Sequence, residues 1–422
     1  MGINFMKKTI FNLIWLIIKS IPGLKERVYT FYSWKIFELV PFLKKLIYLF
    51  YDKFWFIELS LSKSEIDFNK IKSNNYEIEL SRIKYITISN IKKNPNWDRP
   101  PNLNKIEDTE VFDILVEHFT QDKDWDQIEG IKKVLSSTLR YLQQSNPIND
   151  AELPRFLERL DMVYSKSKLE AFTETSNPIK VGIGRNGGYF LLNSLFLITI
   201  FKILNIKKVP VQIEIRHPDW IKFCEDFLRF KSIHGEIYQP ITHPDLTFKS
   251  TYSDKRFELM KNNVSFNKGR LLDIGANLGY FCHKFEELGF NCYAVEIRPS
   301  NVYFMKKLRD LEAKKFKIIN SSIFELKGNL NFLVIVALNI FHHFLREKKL
   351  FYQLVEFLGK IKVREMFFQP HNPKEKVMQN AYRNYNNQEF VDFIIKHSCL
   401  NKFTMLAESP EGKGRPLYKL YQ

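Results

Sequence analysis

The stretch richest in chemistry runs from Arg270 to Phe281, RLLDIGANLGYF. An apolar strand ends at Asp273, a turn follows with Gly275, Asn277 and Gly279, and an amphipathic helix starts at about residue 279. Glycines at such a turn let the backbone approach a ligand and leave the amides of a helix start facing it. The spacing Gly275-x-x-x-Gly279 departs from the G-x-G-x-x-G of dinucleotide oxidoreductases, and a carboxylate ahead of the glycines repels a pyrophosphate. Asp273 instead suits a ligand that is positive at this point, such as one with an amino-acid ammonium group. Seventeen residues past Gly279, the run NCYAVEI ends a second strand near Glu296, where an acid commonly holds ribose hydroxyls.

Three histidines gather near the same edge. A fourth strand, Phe332–Leu338, runs into Asn339-Ile340-Phe341-His342-His343-Phe344, and a fifth, Glu365–Gln369, into Pro370-His371-Asn372-Pro373. Ligands of open parallel sheets bind at the carboxyl ends of strands, so His342, His343 and His371 are expected at one mouth. A histidine of near-neutral pKa can take the proton of an acceptor hydroxyl. Each of the three, taken alone, is equally well read as a satisfied structural histidine. No clear carboxylate partner accompanies them, so no metal site is expected. Cys224, Cys282, Cys292 and Cys399 are scattered, without C-x-x-C or a three-cysteine cluster for an iron–sulfur centre. They read as small buried hydrophobes in a reducing, cytoplasmic setting.

These residues need a scaffold, and from residue 254 onward strands and helices alternate as in βαβ units with a parallel sheet. Further strands are expected at Cys292–Ile297 and Lys317–Ile319. A last pair, Thr404–Glu408 and Pro416–Leu420, is joined by a link too short for a crossover helix and is therefore antiparallel. The motifs above, on this scaffold, resemble the class I S-adenosylmethionine (SAM)-dependent methyltransferases over about residues 254–422. The resemblance implies α/β architecture with a seven-stranded Rossmann-like sheet, an antiparallel final strand and SAM as cofactor. It assigns Asp273, Gly275, Ala276, Asn277, Gly279 and Tyr280 to the methionyl part and Glu296 to the ribose. Ser321 and Ser322 would meet the adenine where the family usually has an aspartate, and Asn339 would border the cofactor at the fourth strand. There is no N-P-P-[YF] or D-P-P-[YF] after strand four and no cysteine on it, so the resemblance favours O-methylation of a small-molecule or glycan acceptor.

The middle of the chain reads as mixed α and β. Strands are expected at Tyr76–Leu80 and Lys84–Ile88, with helices over 109–119, 125–143 and 151–170 and caps at Asp108, Asp124 and Asn149. A hairpin, Ile179–Ile183 and Tyr189–Leu192, turns at Asn186-Gly187-Gly188. A helix over about 194–204, a strand Val211–Ile215 and a helix over about 218–232 follow. The run 179–217 resembles the ParB/sulfiredoxin-like α+β domain. At the place of that domain's phosphate-holding Gly, His and Arg stand Asn193-Ser194-Leu195-Phe196-Leu197, so the resemblance implies a scaffold or recognition module without nucleotidase activity. Residues 234–253 are rich in turn chemistry and read as the linker between residues 61–233 and 254–422.

Charge separates the same zones. The chain has 422 residues and a net charge of +17. Residues 1–60 carry 9 basic and 4 acidic groups, 61–253 carry 27 and 26, and 254–422 carry 28 and 17. The near-neutral middle argues against nucleic acid as partner. A nucleic-acid-associated protein or RNA methyltransferase, and a non-catalytic scaffold, remain as alternatives. Fifteen of the first sixty residues are aromatic, and Pro22 and Pro41 divide them into short helices flanked by lysines. That pattern suits contact with an anionic membrane surface, and equally suits packing on the rest of the protein. Ile10–Ile18 is too short to span a bilayer.

Overall fold

The computed structural model describes residues 73–141, 151–169, 178–234, 237–412 and 414–422. The expected helices of residues 1–60, their lipid contact and the cap at Asn149 lie outside the described residues. Everything described belongs to one compact unit, Ser64–Gln422, which holds two sheets. Among the described residues no helix is long and apolar enough to cross a membrane.

The first sheet has six strands. β1 (Asn75–Glu79), β2 (Ile83–Thr87) and β3 (Leu103–Lys105) precede the helices α1 (Glu110–Gln121), α2 (Ile131–Tyr141) and α3 (Leu153–Leu169). Then come β4 (Ile179–Ile183), β5 (Tyr189–Leu191), α4 (Leu195–Ile203), β6 (Lys208–Arg216) and α5 (Pro218–His234). The spatial order is β1-β6-β4-β5-β2-β3. β4 pairs β6 in parallel and β5 antiparallel, as the hairpin signal requires. Two caps differ from expectation. Thr109, not Asp108, caps α1, its hydroxyl accepting from the Phe112 amide at 3.3 Å. Asp124 precedes a single 3-10 turn, Trp125–Gln127, because Gly130 at φ +73° breaks the chain before α2 begins. The three-residue strand β3 was not expected; its alternation is too short to register.

The second sheet carries the site. α6 (Lys255–Asn263) leads into β7 (Gly269–Ile274), α7 (Tyr280–Glu287), β8 (Phe290–Val295), α8 (Pro299–Leu311) and β9 (Lys317–Ile319). β10 (Asn331–Leu338), the short α9 (His342–Leu345), α10 (Lys348–Lys360) and β11 (Lys362–Gln369) follow, then α11 (Asn387–His397), β12 (Lys402–Ala407) and β13 (Leu417–Tyr421). The order is β12-β13-β11-β10-β7-β8-β9, with β7 to β11 parallel and β13 antiparallel to both neighbours. This is the expected seven-stranded Rossmann-like sheet with an antiparallel final strand. Val334, Ile335 and Val336 of β10 are completely buried, as a central strand covered on both faces must be, each contributing about 1.5–3 kcal/mol.

The connection 237–253 is packed. His243 and Asp245 sit in a 3-10 turn with exposures of 1% and 0%. Asp245 accepts from Arg216 Nε and Nη2, both at 3.0 Å, from Trp220 Nε1 at 2.8 Å and from the Tyr76 hydroxyl at 3.0 Å. Burial alone would raise this carboxyl, but the Arg216 hydrogen bonds outweigh it and hold it below its ordinary range. His243 Nε2 meets the Gly187 carbonyl at 3.0 Å, and a side chain at Gly187 would collide with Trp220 of α5 and Leu311 of α8. Glu312 accepts from Arg82 at 3.2 Å and from Thr242, and lies 3.7 Å from His283 of α7. The two sheets therefore interlock through buried polar groups, most of them paired.

Truncating Asp245 leaves Arg216 buried without its counter-charge. Asp245→Ala is expected to cost about 3–5 kcal/mol in urea unfolding of the full chain. The loss should shrink as pH falls through the depressed carboxyl pKa, because protonation removes the same contribution in the wild type. A change below about 1 kcal/mol near neutral pH would show that the pair is not stabilising.

Candidate active site

Strand order reverses between β7 and β10: β8 and β9 extend to one side, β10 and β11 to the other. Such a reversal opens a crevice at the carboxyl ends of the strands. The loop after β7 holds Gly275, Asn277 and Gly279 at φ +73°, +54° and +84°. The first Cβ beyond glycine at 275 would stand 2.9 Å from Ile340, and at 279 it would stand 2.8 Å from Met305. These glycines thus serve close packing as well as the turn. The amides of Gly275 and Ala276 donate to the Val295 carbonyl at 2.9 and 3.0 Å, and that of Gly279 to Ala276 at 2.8 Å. The loop amides are spent inside the fold, contrary to the expectation that they face a ligand. The unshared donors of this turn belong to the first turn of α7, where helix geometry leaves them without intrahelical partners.

Two acids sit at the tips of adjacent strands. Asp273, in register with Ala294 of β8 and Val336 of β10, is 3% exposed. Burial, followed by the charge of Glu296, pushes its carboxyl up to about 8. The Cys282 thiol lies 3.9 Å from its Oδ2. Glu296 accepts from the amides of Asn277 at 2.9 Å and Arg298 at 2.8 Å. Its burial still raises the pKa despite those donors. The Asn301 side chain is a third donor, so one lone-pair site of the carboxylate remains for a hydroxyl.

Arg256 is a candidate binding residue that sequence reasoning missed. It lies on the face of α6 that also buries Phe257 and Met260, and its exposure is 0%. The guanidinium stacks 3.7 Å above the Tyr252 ring, and Nη1 donates to Gln369 Oε1 at 3.0 Å. Nε and Nη2 are buried without a hydrogen-bond partner. Desolvation lowers its pKa, and two bare donors on a buried cation are costly unless an anion meets them. The available signal was periodicity: an arginine four residues before Met260 stands on an apolar face.

Asn339, at φ +55° after β10, lies within 3.0–3.2 Å of three acceptors through Nδ2: the Tyr238 and Tyr252 hydroxyls and Gln369 Oε1. Only two of these can be donated to at once, and its Oδ1 is buried without a partner. Tyr238 and Tyr252 come from the packed connection, so that segment helps wall the crevice. Other expected residues are engaged locally. Ser322 Oγ accepts from the Phe324 amide at 3.3 Å, Ser321 Oγ donates to the Ser322 carbonyl at 3.2 Å, and the Tyr280 hydroxyl donates to Asp254.

The histidines do come together. The His342 ring centre is 4.1 Å from His343 and 5.3 Å from His371. Burial, then the neighbouring His343 and His371, pulls His342 down to about 2. Burial and then Arg346, Arg298 and Arg415 pull His343 down to about 4. Burial also lowers His371, which is 0% exposed. All three are therefore neutral near pH 7. Asn384 Nδ2 donates to the Pro373 carbonyl at 2.9 Å, which turns its Oδ1 toward His371 Nε2, also at 2.9 Å. Nε2 consequently carries the hydrogen, and Nδ1 is left as a bare, buried acceptor. His342 Nδ1 is buried without a partner as well.

No protein-family profile matches this chain, and no curated protein matches it in sequence. Solved structures overlap it in part. The 2.2 Å crystal structure of WbdD is 15% identical over 44% of this chain and 45% of that one, with a TM-score of 0.35. The N-methyltransferase NodS from Bradyrhizobium japonicum WM9 is 10% identical over 40% of this chain and 94% of its own, at 0.33. The PH0226 protein from Pyrococcus horikoshii OT3 is 12% identical over 39% and 89%, at 0.32. The chain thus spans under half the length of WbdD. At these scores no activity transfers, and the chemistry rests on the residues above.

Asp273 binds a proton in the folded chain up to about pH 8, against about 3.9 when unfolded. Folded protein therefore holds the extra proton between those values, and stability falls as pH rises through that window. Asp273→Asn should abolish the fall and be more stable than wild type above about pH 8, by a few kcal/mol in urea unfolding. Parallel pH profiles for the two proteins would refute the burial assignment.

Proposed function

We propose that this chain is a SAM-dependent methyltransferase that transfers a methyl group to a hydroxyl of a small-molecule or glycan acceptor. The observation that carries the reading is the charge set of the crevice: Asp273 and Glu296 at adjacent strand tips, with two bare donors of Arg256 buried nearby. SAM presents an ammonium group, a carboxylate and a ribose diol, and each finds a complementary group here. Asp273 would hold the ammonium, Arg256 the carboxylate and Glu296 the diol. The fit extends to the orphaned Oδ1 of Asn339, an acceptor at the same edge. When bound, the cofactor supplies an electrophilic methyl group.

The chain's own residues supply position and proton transfer. Methyl transfer depends mainly on holding donor and acceptor in line, and the closed packing of Gly275 against Ile340 fixes one wall of that arrangement. His371 Nδ1 is the best-placed proton acceptor, because Asn384 locks the opposite nitrogen as a donor. Burial keeps that nitrogen unprotonated near neutral pH, at the expense of basicity. The first sheet is read as a ParB-like scaffold or recognition module. Asn193, at the position of the missing phosphate-binding residues, instead ties Pro178 and Lys180 of the hairpin together, which supports a structural role.

Calorimetry of the full chain with SAM tests this. Binding near pH 7 should release close to one proton, seen as a dependence of heat on buffer ionisation enthalpy, because Asp273 must ionise to meet the ammonium. Asp273→Asn should weaken SAM by about tenfold or more. His371→Gln should leave SAM affinity unchanged while lowering turnover on glycan and metabolite extracts by about 10²–10⁴-fold. Absence of SAM binding by the wild type would end the enzyme reading.

A further inference from the structure

An aromatic strip on the protein surface borders the histidine cluster. Tyr352 of α10 is 54% exposed, and its ring centre lies 6.4 Å from that of Tyr382, with the planes tilted by 45°. Phe351, buried, backs both rings edge-on at 5.3 and 5.5 Å. The guanidinium of Arg383, itself exposed, stands 4.7 Å from the centre of the Tyr382 ring. A lone exposed tyrosine needs no explanation, but two phenols and a guanidinium held side by side form a surface. The strip is anchored to the cluster. The Tyr382 and Arg383 amides donate to the carbonyls of Arg346 and Leu345 at 3.1 and 2.9 Å, at the end of the helix that carries His342 and His343. Asn384, the next residue, holds His371 Nε2 at 2.9 Å, and Tyr385 stacks on Phe393 at 5.3 Å. Two residues span at most about 7 Å of chain, so Tyr382 stands within that reach of the residue bonded to His371.

We propose that Tyr352, Tyr382 and Arg383 bind one sugar ring of a saccharide acceptor, while a neighbouring ring presents its hydroxyl to the histidines. The fate of that acceptor rests on the methyltransferase reading; its binding does not. A pyranose has an apolar C–H face and a rim of hydroxyls. Tyrosine rings offer the face a flat apolar surface with a polar tip, at low cost in conformational freedom. The guanidinium fork donates to two oxygens of the rim. The surrounding charge is mixed: Lys348, Lys349 and Glu356 lie within one turn of Tyr352 on α10, and all three are exposed. An uncharged, hydroxylated ligand is neither repelled there nor required to bring a counter-charge. A nucleic-acid base would stack on the same rings, but its backbone needs a continuous basic groove, and Glu347 and Glu356 stand among these lysines.

The test uses the full chain without SAM on an array of neutral oligosaccharides, from disaccharides to hexasaccharides, followed by calorimetry with the best-bound member. Tyr352→Ala and Arg383→Gln should each weaken that saccharide by about tenfold, while SAM affinity, measured separately, stays at the wild-type value. Tyr352→Phe keeps the ring and should retain most of the saccharide affinity, which separates stacking from a loss of folding. No saccharide bound anywhere on the array, variants that bind it as wild type does, or tighter binding of a 12-nucleotide poly(U) than of any saccharide would overturn the proposal. Saccharide binding without SAM binding would uphold the aromatic strip and remove the methyltransferase reading. SAM binding without saccharide binding would do the reverse.

Discussion

Asp273 and Glu296 are two carboxyl groups desolvated at the ends of neighbouring parallel strands, and their mutual repulsion governs the rest of the site. Neither can be charged cheaply while the other is charged. Glu296 is held by the backbone amides of Asn277 and Arg298 and by the Asn301 side chain, whereas Asp273 meets the Cys282 thiol at 3.9 Å. Burial and the charge of Glu296 therefore favour the protonated form of Asp273. Arg256, buried beneath Tyr252 with two unfilled donors, is the opposite imperfection. One ligand bearing both an ammonium and a carboxylate would relieve both at once, which is the basis of the cofactor reading proposed above.

That arrangement needs rigid walls, and the interlock of the two sheets provides them. The packed connection carries His243 and Asp245 into the first sheet and Tyr238 and Tyr252 to the tips of β10 and β11. Glu312 is drawn down to about 2 because, against the cost of its burial, His283, Thr242 and Arg82 all stabilise its charge. A segment with turn composition is thereby made part of the crevice. Its position couples the first sheet to the crevice of the second.

The parallel sheet was legible because each of its strands is a short apolar run bounded by turns, and because β10, buried on both faces, contains no polar interruption. Asp273, Glu296 and the histidines were legible for a simpler reason: topology alone puts strand tips at one edge. The caps at Thr109 and Asp124 were read imperfectly because adjacent residues of similar type compete for the same role, and Gly130 decided where α2 could begin. Ser321, Ser322 and Tyr280 were assigned outward roles, yet their hydroxyls are taken by neighbours only one to two residues away or, for Tyr280, by Asp254.

The sequence by itself determined the alternation of strands and helices, the glycine turn after Asp273 and the gathering of acids and histidines at one edge. These follow from local steric and hydrophobic preferences that act over a few residues. Only the tertiary structure decided which charges are left uncompensated. Arg256 is left with two unfilled donors because Gln369, 113 residues away, takes one of its nitrogens and no described residue hydrogen-bonds the other two. His371 keeps a bare Nδ1 because Asn384 and Pro373 fix its tautomer. Compensation of charge is a property of distance in space, and separation along the chain does not encode it.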